Sequence, residues 1–298
     1  MQAITNKKQK WSSISDQYKA DIIQNYFKTA ANTEYRNLKF TELELLDVLY
    51  LTAFIRCAKN KDSGSVWNLN RRTKILPIDS IAIFNHLITK RLISISDEMP
   101  INSFIFDAHG KIIDFDPYSL DWLVHIEGGV PNNSNPDRLL LNKIEEMDTS
   151  YKQVVKGLWI KLIVDECIDN FLEKASQYNL SVHISNPMKL KKKLATIVEG
   201  HSLAQCFEMI HCVCESSRVY LDNAKIDDEK LMQQYLLTEF EKGIKNIEQY
   251  NVSQLILERY LEPQISTVTK LLFQEIFCID SGDWFEYNLA ENKLFAEG

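Results

Sequence analysis

Apolar residues recur at helical spacing through most of this chain, and the exceptions sit together in one stretch. Ile22, Ile23, Tyr26 and Phe27 share one face of a helix predicted over residues 15–30. Leu45, Leu46, Leu49, Phe54 and Ile55 mark a second, core-forming helix over about 41–58, with Thr41 and Glu44 as a capping-box pattern at its start. Pro77 and Asp79 introduce a third helix to about Lys90, whose Ile81, Phe84, Leu87 and Ile88 form one apolar face. Between the second and third helices, residues 59–76 read as a long connection holding a short strand at 66–69.

The period then changes from helical to alternating. Leu92, Ile93 and Ile95 predict a short strand. Residues 103–107 and 111–116 predict a β-hairpin, with Phe104 and Phe106 alternating and Gly110 supplying the turn. Beyond residues 127–137, EGGVPNNSNPD, the helical period returns. That stretch crowds Gly, Pro, Asn and Ser and is expected to be a linker. After it, 151–178 is apolar over much of its circumference and reads as a central helix. Asn186, Pro187 and Gly200 bracket the next helix, and Ser202 with Gln205 opens another. Further helices are expected at about 228–250, 253–261 and 265–277, and the aromatic tail with Trp284, Phe285 and Tyr287 is expected to dock on the bundle. The expected fold is therefore mostly α, with an N-terminal α+β domain at 1–126 and a C-terminal all-α helical domain at 138–298.

Composition narrows the class of protein. The chain has 298 residues, 45% of them hydrophobic and 25% charged, with only nine glycines and seven prolines, so ordered globular structure is expected nearly throughout. No apolar run reaches the roughly 18 residues a membrane span needs, and the first ten residues, MQAITNKKQK, lack the apolar core of a secretory signal. A cytoplasmic location is the expectation. Six cysteines scattered among apolar neighbours read as reduced, mostly buried thiols.

Charge is divided unevenly. Residues 1–126 carry 16 Lys and Arg against 14 Asp and Glu, whereas 127–298 carry 18 against 27. Within the first half, the segment 56–91 carries Arg56, Lys59, Lys61, Arg71, Arg72, Lys74, Lys90 and Arg91 against only Asp62 and Asp79, the most basic stretch of an acidic protein of net charge −7.

Over 41–116 the order of an apolar helix, a further helix, the phrase HLITKRLISIS and a hairpin resembles a winged helix-turn-helix domain. The likeness is one of pattern and covers about a quarter of the chain. It implies that the helix ending near Lys90 enters a major groove and the hairpin lies along the backbone. Asn85, His86, Lys90 and Arg91 would then be contacts on the helix, with Arg71, Arg72 and Lys74 on phosphates. Two features depart from the pattern. The 59–76 connection is longer than the tight turn of the motif, and the wing carries Asp107, Asp114 and Asp116 where a phosphate-tracking wing carries Lys or Arg.

Candidate chemistry elsewhere is thin. His201, Cys206, His211, Cys212 and Cys214 are zinc-ligand types, but Cys206, Ile210 and Val213 fall on one apolar stripe and there is no CxxC pair. The three hairpin aspartates are a weaker candidate for a divalent cation. No nucleophile elbow and no phosphate loop is present, so no catalytic residue, metal site or cofactor is assigned. The four lysines of 188–193, MKLKKK, read as a solvated face or a contact for an acidic partner. Three functions are expected in descending order. The first is a binding or regulatory protein that contacts nucleic acid through its first domain and protein or itself through its second. The second is a purely protein-interacting adaptor, immunity-type inhibitor or accessory protein of a bacterial defence or mobile-element system. The third is an unrecognised metal-dependent hydrolase.

Overall fold

A computed structural model describes residues 15–29, 39, 42–60, 66–77, 80–96, 100–107, 109–126, 142–143, 151–184, 187–250 and 265–279. The expected linker at 127–137, the helix at 253–261 and the aromatic tail lie outside these residues. The chain forms two compact units, Met1–Glu146 and Met147–Gly298, and the described residues are mostly helical with a small sheet region in the first unit. Among the described residues no helix is long and apolar enough to cross a membrane.

In the first unit, α1 (Asp16–Thr29) buries Ile23 and Phe27. Helix α2 (Leu45–Cys57) is buried over nearly its whole circumference, as expected of a core element. It begins one turn later than the Thr41 pattern predicts. Glu44 is the N-cap residue, and its N–H donates to Asp47 at 2.9 Å, so the acid three places on does the capping. Next come β1 (Ala58–Asn60), β2 (Val66–Leu69), α3 (Ser80–Thr89) and β3 (Ile93–Ile95), then β4 (Phe104–Phe106), β5 (Ile112–Phe115) and β6 (Asp121–Val124). The connection between α2 and α3 thus holds the antiparallel pair β1 and β2 in place of a tight turn.

The expected hairpin forms with Ile105 opposite Asp114, and Gly110 takes the left-handed φ of 85° that the turn requires. Around it, β3 pairs with β6, so the β4–β5 hairpin is nested inside a wider β3–β6 loop within a sheet ordered β1-β2-β6-β3. The core gathers on Trp122 of β6. Phe84 stacks on its ring at 5.0 Å, Phe27, Phe54 and Phe115 surround it at 6.1–6.4 Å, and its indole N–H donates to Pro117 O at 2.9 Å.

The second unit is built of helices and the connections between them, with no strand among its described residues. Its helices are α4 (Tyr151–Gln177), α5 (Pro187–Val198), α6 (Leu203–Asn223), α7 (Glu229–Lys245) and α8 (Thr267–Leu271), the last continuing as a π-turn over Leu272–Ile276. Helix α4 is the expected centre and packs against α5, α6 and α8. Phe171 of α4 stacks on Phe240 of α7 at 4.0 Å, and Trp159 meets Phe273 edge-on. Ser202 caps α6 by accepting the Gln205 N–H at 3.2 Å, as its spacing predicts. A buried polar link closes the far end: Glu166 of α4 accepts the Ser266 hydroxyl at 2.6 Å and its N–H at 3.0 Å, and Ser266 in turn caps α8.

Candidate interaction site

Two cations of the basic stretch, Arg71 and Lys90, pair with carboxylates of the first unit. Arg71 and Arg72 stand in the turn after β2, where Thr73 donates back to Asn70 O and the Asn70 side chain accepts the Arg72 N–H. The Arg71 guanidinium reaches Asp116 at 2.7 Å and Ser119 at 2.8 Å, both just beyond the hairpin. Arg72 is exposed and Lys74 half-buried. On α3, Asn85 is exposed, whereas His86 turns inward: its Nε2 lies 2.7 Å from Asp47 Oδ1, and its ring meets Tyr50 edge-on.

Lys90 joins the same cluster, 3.3 Å from Glu44 and 3.9 Å from Asp47. Burial works against charge on the Asp47 carboxyl, but His86, the Glu44 N–H and Lys90 outweigh it and hold its pKa below the ordinary value. Lys90 and Arg91 follow Thr89, the last residue of α3, and the Lys90 N–H still bonds back to His86 O. Arg91 takes a left-handed φ of 60°, and its N–H and that of Leu92 return to Ile88 O and Leu87 O. That is a helix-terminating cap, made here without the usual glycine.

The aspartates of the hairpin do not converge on one point, and among the described residues no group of three metal-ligating side chains occurs. Asp107 folds back on its own turn and accepts the N–H groups of Lys111 and His109, which lower its pKa. Asp116 accepts the Tyr118 N–H and the Ser119 hydroxyl besides its pair with Arg71. Asp114 accepts only the adjacent Phe115 N–H, at 2.8 Å, and pairs with no basic side chain among the described residues.

Asp114 and Asp116 line an open groove of about 350 Å³ together with Ile81, Ile105, Phe115 and Tyr118. Ile105 is 53% exposed, and Ile113 on the neighbouring strand is 59% exposed. The sequence contains these residues but not the groove, because Ile81 comes to it from α3 and Tyr118 from the turn after β5.

In the second unit, Cys206, Ile210, Val213 and Cys214 of α6 are buried as one stripe, which is the arrangement expected of core thiols. Cys212 is half-buried. Burial and the neighbouring Glu208, which accepts its S–H at 3.2 Å, push its pKa up to about 12. His201 and His211 turn to Gln205 and Tyr178 respectively. The lysines of α5 are strapped to neighbouring helices: Lys191 to Asp165 of α4 at 2.6 Å, and Lys193 and Lys189 to Glu241 of α7 at 2.5 and 3.6 Å. Their charge lowers the Glu241 pKa, Lys193 being the main cause.

One close pair was not legible in the sequence. Ser94 of β3 lies 2.7 Å from His125 Nε2, at the end of β6, and burial depresses the histidine pKa. Ser94 itself is only 5% exposed, so the pair stitches the sheet rather than facing a substrate. Compared with known protein families, curated proteins and solved structures, the chain matches none.

Proposed function

We propose that this is a binding protein that works through protein contacts, as an adaptor, an inhibitor or an accessory subunit. One observation carries the reading: several of the cations that would recommend a polyanion partner are paired with carboxylates of their own unit. Arg71 is held by Asp116, Lys90 by Glu44 and Asp47, and three of the four α5 lysines by Asp165 and Glu241. A phosphate would have to displace these partners, on a protein whose net charge of −7 already opposes it. The apolar Ile105 and Ile113, exposed on the hairpin, suit a protein surface better.

A second reading, nucleic-acid contact by a winged-helix-like first unit, is favoured by the nested hairpin after α3 and by the exposure of Asn85 and Arg72. The two readings part in a gel-shift titration with random-sequence duplex at low salt, run beside copurification from the native host. The expected result is a stoichiometric protein partner and no duplex shift. A shift that weakens with salt and disappears in Arg72→Glu would replace the first reading with the second.

A further inference from the structure

We infer that the groove over the β4–β5 hairpin receives a short extended segment of a partner protein in which one apolar residue is flanked by Lys or Arg. The inference rests on the protein-contact reading above and specifies the chemistry of the partner.

The apolar part of the argument is the groove wall. Ile81, Ile105, Phe115 and Tyr118 converge from a helix, two strands and a turn, and Ile105 keeps half its surface in water. Such a wall gains from covering by a side chain of similar size. The backbone part is the hairpin itself. Strands β4 and β5 form a two-stranded sheet of their own among the described residues, and an extended segment can follow its direction along the groove.

The charge part decides between occupants. Asp114 stands opposite Ile105 in the register, lines the groove and is matched by no cation of its own unit among the described residues, whereas Asp116 beside it is neutralised by Arg71. The unmatched carboxylate repels phosphate. A second copy docked symmetrically would set the same acidic groove against itself. A lysine or arginine next to the inserted apolar residue pairs with Asp114. Lys111, exposed at the hairpin tip, repels that cation and so directs it toward the Asp114 end.

The test uses the full chain and amide chemical-shift titration, which detects millimolar binding. The probes are synthetic hexapeptides with Leu, Val or Phe between two lysines, and the same peptides with Glu for Lys. The lysine peptides are expected to shift the amides of Ile105 and Asp114 and to weaken as salt rises. Asp114→Lys is expected to lower their affinity about tenfold, and Ile105→Asp to remove binding. Both residues are at least partly solvated, so thermal melts of the variants should match the parent. Equal binding of lysine and glutamate peptides, no binding by either, or indifference to Asp114→Lys overturns the inference. If it is overturned while a copurifying protein remains bound to Asp114→Lys, the protein-contact reading stands and only the groove is wrong. If duplex binding through Arg72 appears instead, both fall.

Discussion

Asp47 illustrates how single residues tie the first unit together. Its side chain is 3% exposed, yet it receives the N–H of Glu44, the ring of His86 from 39 positions away and the ammonium of Lys90. Sequence patterns identify the helix that carries it but not the partners, because nothing periodic links positions so far apart. The same holds for Ser94 and His125, which has a consequence for pH. Burial lowers the His125 pKa below 6.5, so the folded protein holds fewer protons there than the unfolded chain. The stability from the neutral imidazole is complete above 6.5 and is lost as pH falls through the folded-state value. The melting temperature is therefore expected to drop as pH falls below about 6.5, and His125→Gln should flatten that slope. An unchanged slope in the variant would assign the effect to other groups.

At the scale of elements, the helices and four of the six strands were legible, and β1 and β6 were not. Helices α4 to α7 each supply several turns of periodic apolar residues, and the predicted Ser202 cap forms as its spacing requires. By contrast β1 runs straight on from α2 with the sequence AKN, which holds no alternation of apolar residues, and β6 is the four-residue DWLV. Yet β6 carries Trp122, the centre of the first core. Helix packing has a similar hidden determinant at Gly243 of α7. A Cβ there would lie 2.8 Å from Met209 Sδ and 2.9 Å from Val213 Cγ2, both on buried side chains of α6. Gly243→Ala, which would favour an isolated helix, is expected instead to destabilise the protein by about 1–3 kcal/mol in urea denaturation. A gain in stability would show that α6 and α7 separate without strain.

For the whole molecule, a mostly helical chain with a small sheet region follows from where the apolar period changes, and that much was legible. Partner chemistry was not, since formal charge along the chain does not reveal which charges are already matched in the fold. The six cysteines carry the last consequence. Cys57, Cys167, Cys206 and Cys214 are buried, the Cys212 thiol is held protonated by burial and Glu208, and Cys278 alone among the described thiols is exposed. A maleimide dye should therefore attach once to the native chain, after α8, with the rest reacting only on unfolding. The natural protein thus comes with its own labelling handle in the second unit. A dye on Cys278 would report the melting of that unit without any engineered residue, for comparison with the far-ultraviolet circular dichroism of the whole chain.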